Sequence, residues 1–206
     1  MDWVGSELIW VVLGLAGWPL GRWLAPRLAE RLGDRAWLLA ELGPWPNGLA
    51  LPYLAVFAGA VSAEAMGLYG RGGWLGWQLS AAMIAALLLA IWRTRNRLPF
   101  DMPDERLDHA LLDEPRWAMY RAAGQLWLTS SPLGLGLGLV LGLLEWAVRH
   151  ELWRPEQRAR PATCLTLARL ATSTIVFGLT GNLLMTAAFQ AALLSLLRPA
   201  ESQVSA

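Results

Sequence analysis

Four ionisable residues stand within or at the edges of long apolar runs, and any chemistry of this chain would start from them: Glu64, Glu145, Arg149 and Arg169. A carboxylate held out of water can exchange a proton, and a buried guanidinium can hold an anion or a carboxylate. In an apolar medium either charge needs a partner. Glu145 and Arg149 are four residues apart and share a helix face. Gly134, Gly138 and Gly142 extend the same series, and at about 100° per residue all five fall within roughly 80° of arc. Such a stripe of small residues lets a second helix come close. The acid–base pair thus lies on a packing face, where an intrahelical salt bridge is the plain structural reading. In the next apolar block Thr166, Arg169, Ser173, Phe177 and Thr180 share one side. Arg169 and Glu145 lie at similar depths from the helix ends, which predicts a direct contact between them.

The remaining polar groups carry less. Gln78, Asn182 and Gln190 read as interhelical hydrogen bonders. His109 and His150 are isolated, so no metal site is expected, and the single Cys164 permits no disulfide within the chain. There is no P-loop, GxGxxG, GxSxG or HExxH pattern, and no cofactor is predicted.

The elements that must position these groups are membrane helices. Hydrophobic residues make up 55% of 206 and mean hydropathy is +0.38; 16% are charged, against about a quarter in a soluble domain. Many of the thirteen Trp stand where apolar runs end, among them Trp3, Trp23, Trp45, Trp74, Trp92, Trp117, Trp127, Trp146 and Trp153. Indole favours that headgroup level. A net charge of +1 gives no electrostatic case for nucleic acid. The predicted fold is therefore all-α: one polytopic transmembrane bundle over 1–206, with six to seven membrane segments and one or two interfacial amphipathic helices. Segments are expected near 8–24, 49–69, 74–92, 133–148, 162–180 and 182–197. Interfacial helices are expected near 25–42 and 115–129, and a polar loop over 98–114. The first apolar run lacks a basic lead-in and reads as a retained helix. Arginines cluster after the first, third and fourth spans, which fits a simple alternation only if 115–129 also enters the membrane.

Two stretches suggest a family. Leu144-Glu-Trp-Ala-Val-Arg149 resembles the EExxxR motif of the CPBP intramembrane proteases, the CAAX-processing and bacteriocin-processing family, and Phe177-Gly-Leu-Thr-Gly181 looks like their FxxxH motif. Alternatively, Thr180-Gly-Asn-Leu-Leu resembles the stretch before that family's last histidine, with Gln190 near its place. The likeness covers about residues 133–197. It implies paired glutamates and histidines that activate a water, but Leu144 replaces the first glutamate and Gly181 the histidine. A relative of this kind is expected to lack catalysis, since a general base must be present.

The sequence thus predicts a non-catalytic, multi-pass protein of the bacterial inner membrane. It would be a scaffold or accessory subunit whose partners are the lipid bilayer and other membrane subunits or a second copy. Two alternatives stay open. One is a CPBP-like protease with atypical residues, such as Glu64 with Glu145. The other is a small transporter whose path is lined by Glu64, Glu145 and Arg169.

Overall fold

The computed structural model describes residues 3–69, 107–128, 131–149 and 161–197, with scattered helical positions between 78 and 93. Among the described residues there is helix and turn but no strand. Helix α1 is Trp3–Leu32; a 3-10 turn, Gly33–Arg35, leads to α2, Trp37–Leu42. A π-helical turn, Pro46–Ala50, runs into α3, Leu51–Phe57. Four longer helices follow: α4, Leu107–Trp127; α5, Ser131–Arg149; α6, Pro161–Thr180; and α7, Leu183–Leu197.

Helix α4 is the axis of the molecule. It packs against α1, α3, the π-helical turn, α5, α6 and α7. The sequence reading made 98–114 a polar loop and 115–129 an interfacial helix. The structure corrects both for the residues it describes, since one helix runs from Leu107 through Trp127 and its residues 112–124 are all buried. Trp117, Ala118, Met119, Tyr120, Ala122 and Ala123 are all buried, and so are Asp113, Glu114, Arg116 and Arg121. The physical reason is charge pairing: hydropathy counts each ionised group as if it faced water, whereas here the charges compensate one another. Pro115 lies within this helix rather than at its start.

Glycine sets how closely the neighbours approach. A methyl group at Gly138 would lie 2.5 Å from Arg121 Cα, and one at Gly134 would lie 2.6 Å from Gln125 Cα. One at Gly142 would meet the Leu170 side chain of α6 at 2.9 Å. The glycine stripe of α5 therefore brings its backbone onto α4 in two places and onto α6 in a third.

Two further boundaries differ from expectation. Residues 8–42 were read as a span followed by an interfacial helix, but α1 passes through Pro19 and Pro26 to Leu32. Each proline gives up one backbone hydrogen bond, and the helix continues past both. The segment 49–69 was read as one span. Its α-helix is only the seven residues of α3, about 10 Å at 1.5 Å per residue, too short to cross a bilayer. The chain then turns through Gly59 and Gly67, with φ of 73° and 75°, a left-handed conformation that favours glycine. Gly67 O accepts the Leu183 N–H at 3.0 Å, which docks this turn on the α6–α7 junction. The predicted span 74–92 lies largely outside the described residues, although Ile84 and Leu88 pack against the Val176, Phe189 and Leu193 cluster.

At the α6–α7 junction Gly181 has φ 57°. Asn182 Oδ1 accepts the N–H groups of Leu184 and Met185 at 2.9 and 3.2 Å, the side-chain cap that starts a new helix.

The buried ion pairs sit beside an apolar core that includes Val11, Ala55, Val61, Met66, Trp117 and Leu170. Large apolar side chains also face outward: Leu8, Ile9, Val12, Leu13 and Leu20 of α1 are exposed. So are Leu54 and Phe57 of α3, Leu133, Val140 and Leu144 of α5, Ile175 and Leu179 of α6, and Leu184 of α7. Among the described residues, two helices, Glu7–Arg35 and Pro132–Arg149, are long and apolar enough to cross a membrane.

Candidate functional site

The buried charges of α4 meet those of α5 and α6 in one cluster. It begins with Asp113 and Glu114, consecutive residues whose side chains serve different partners. Asp113 Oδ1 pairs with Arg116 one turn along the same helix and with Arg149 Nη1 of α5 at 2.8 Å. Its other oxygen faces Arg169 Nη1 of α6 at 3.5 Å. One carboxylate therefore joins three helices through three guanidinium groups.

Glu114 has a different setting. Its Oε1 accepts from Arg121 Nη2 at 2.9 Å. The Ser173 hydroxyl of α6 lies 2.6 and 2.8 Å from its two oxygens, and Ser173 Oγ in turn accepts from Arg121 Nη1 at 2.6 Å. Seven residues separate Glu114 from Arg121, two helical turns, so both groups reach Ser173 from one face of α4. The Arg121 guanidinium also stacks over the Phe177 ring, 4.4 Å from its centroid, an attraction strengthened by exclusion of water.

Glu145 completes the cluster. Its Oε2 accepts from Arg116 Nε at 2.8 Å and its Oε1 from the Trp18 indole N–H at 2.6 Å. The Trp18 ring lies between two cations, with Arg149 at 4.3 Å and Arg116 at 5.4 Å from its centroid. Arg169 Nε donates to Gln190 Oε1 at 3.3 Å, and Gln190 Nε2 returns a bond to the Arg169 carbonyl at 3.0 Å, which ties α7 to α6.

The structure thus brings together three of the four candidates from the sequence, Glu145, Arg149 and Arg169, but through intermediaries. The predicted direct contact between Glu145 and Arg169 is absent. Glu145 is held by Arg116 and Trp18, and Arg169 by Asp113 and Gln190. The intrahelical Glu145–Arg149 pair is likewise replaced by pairs that cross to α4. Glu64 lies elsewhere, exposed on the turn after α3, because α3 ends at Phe57 and carries no helix to that position. Asp113, Glu114, Arg116 and Arg121 escaped sequence reading although their spacing carries a signal: acids at 113 and 114 with arginines three and seven positions further on, which is helical register.

Four arginines face three carboxylates in this cluster among the described residues. Each of the three carboxylates has at least one guanidinium partner and a second donor. What such an arrangement does well is fix helices relative to one another in a medium of low polarity. No protein-family model, curated protein or solved structure matches the chain.

Proposed function

We propose that this chain is a non-catalytic, multi-pass integral membrane protein, a scaffold or accessory subunit whose helices are locked by a buried ion-pair cluster. The observation that carries the reading is that every carboxylate of the cluster is engaged by other side chains of the chain. Asp113 is engaged by three arginines, Glu114 by Arg121 and Ser173, and Glu145 by Arg116 and Trp18. A general base needs to reach a substrate proton, and these carboxylates are buried and turned to guanidinium, hydroxyl and indole donors of the protein. Membrane residence is supported by the large apolar side chains exposed on α1, α3, α5, α6 and α7, since extended apolar surface marks contact with lipid or another protein. Helix α1 adds to this: its apolar stretch is almost entirely uncovered by the rest of the chain, leaving a face for bilayer or a neighbouring membrane helix.

The experiment is isolation of the full chain from its native membrane under mild detergent, with chemical crosslinking before extraction. A scaffold or accessory subunit comes out with crosslinked membrane partners or a second copy. An uncomplexed monomer that hydrolyses peptides would refute the reading.

One geometric fact favours the protease alternative. Asp113 shares Arg116 with Glu145, so a second carboxylate stands near the glutamate of the CPBP-like stretch. The same monomer and hydrolysis measurements decide between the two readings.

A further inference from the structure

Helix α1 meets the rest of the chain along one narrow face. Glu7, Val11, Gly14, Trp18 and Arg22 recur at intervals of four, three, four and four, a single helical stripe. Val11 is the buried apolar side chain of that stripe, with Trp10 and Leu15 half-covered beside it. Hydrogen bonds fasten the rest. The Trp127 indole N–H donates to Glu7 Oε2 at 3.1 Å, and Asn47 Nδ2 donates to the Gly14 carbonyl at 3.3 Å. The Trp18 indole N–H donates to Glu145 Oε1 at 2.6 Å, and Arg22 Nη2 to the Val148 carbonyl at 2.7 Å. The apolar stretch of α1 is almost entirely uncovered. An exposed turn, in which Gly33 has φ 53°, joins it to α2.

We propose that α1 is a hinged cover, which parts from α4 and α5 about the Gly33–Arg35 turn and is latched shut by the Trp18–Glu145 bond. Between membrane helices the surrounding lipid is as apolar as the interface, so close packing and hydrogen bonds carry the association. Helix α1 has little of the first, and a segment with few buried apolar contacts opens before the whole molecule does. One buried group works against the closed position. The Tyr120 hydroxyl of α4 lies under Gly14 and has no hydrogen-bond partner among the described residues, a burial that costs stability. Opening uncovers this hydroxyl together with the Glu145 oxygen that Trp18 releases. They are a donor and an acceptor to which the helix of another membrane protein can bond, so the cover controls access to a docking face of the scaffold.

This inference rests on the membrane and scaffold reading, and the experiment separates the two. The full chain with Cys164→Ser carries nitroxide labels at Val12 of α1 and Leu144 of α5 or, as a control, at Val140 of α5 and Leu184 of α7, all exposed positions. It is floated with phosphatidylcholine vesicles on a density gradient; failure to float removes the membrane reading, and this proposal with it. Distances in the floated protein are then measured by pulsed electron paramagnetic resonance. Trp18→Phe unlatches α1, so a longer Val12–Leu144 distance gains population about tenfold over wild type, while the control pair keeps one distance. Adding Tyr120→Phe, which removes the stranded hydroxyl, lowers that population again. A Val12–Leu144 distance unchanged by Trp18→Phe, equal broadening in both pairs, or no response to Tyr120→Phe would each overturn the proposal.

Discussion

Arg149 closes an ion pair with Asp113 at 2.8 Å across 36 residues of sequence, joining the end of α5 to the buried middle of α4. This one bond explains why α4 is no surface helix. Asp113 is matched by Arg149 of α5 and Arg169 of α6 as well as by Arg116 of its own helix, and Glu114 by Arg121 of α4, so removing these acids from water leaves little uncompensated charge. Buried pairs of this type add modestly to stability as wholes, but loss of one partner strands the other and is strongly destabilising.

Asp113→Asn is the sharpest test of that asymmetry. It removes the charge that Arg116, Arg149 and Arg169 share, and a loss of about 3–5 kcal/mol is expected. Thermal unfolding in detergent measures it, against Glu30→Gln on the exposed side of α1, which should stay within about 0.5 kcal/mol of wild type.

Gly138→Ala tests the approach of α5 to α4. The added methyl meets Arg121 Cα, a backbone atom that cannot swing aside, and overpacking of this kind costs about 1–3 kcal/mol. Gly136 has nothing within 4 Å of the equivalent position, so Gly136→Ala should be neutral or slightly stabilising. Equal effects at the two sites would show that the helices are not in close contact.

Ser173→Ala removes the hydroxyl bonded to Glu114 and Arg121 and leaves buried groups with fewer partners. About 1–3 kcal/mol should be lost. Ser173→Thr keeps the hydroxyl and should recover part of that loss if the added methyl group fits. Denaturant unfolding of both variants beside wild type distinguishes a lost hydrogen bond from a general packing defect.

Trp18→Phe keeps an aromatic ring between Arg149 and Arg116 but removes the N–H donated to Glu145. A charge-assisted bond of this kind contributes about 1.5–3 kcal/mol, so a drop of that size is expected in thermal unfolding. Combining Trp18→Phe with Glu145→Gln should cost less than the sum of the two changes, because both break the same bond.

The all-helical character was readable from the sequence because long apolar runs, few charges and tryptophans at run ends all point the same way. The break at Gly181–Asn182 follows from residue type, a glycine tolerant of φ 57° followed by a capping asparagine. The position of α4 was not readable by the same means. Leu107–Trp127 holds five ionised residues, Asp108, Asp113, Glu114, Arg116 and Arg121. Taken singly, they look like groups that seek water. Only the three-dimensional pairing with Arg149, Arg169 and Ser173 shows that their partners are protein. Glu64 illustrates the opposite error. An apolar run around it suggests a helix in lipid, but the chain turns at Gly59 before Glu64 and again at Gly67 after it, and the carboxylate is exposed.

The central claim is that charge lies inside this molecule and lipid outside it. Nitroxide labels at Phe57, Val140 and Leu184 of the vesicle-reconstituted protein, with Cys164 replaced by Ser, test it most directly by electron paramagnetic resonance. The account predicts that all three labels relax more readily with oxygen, which concentrates in the bilayer, than with a water-soluble nickel complex. A label at Glu30 should show the reverse. Preferential relaxation of the three apolar positions by the nickel complex would contradict the account.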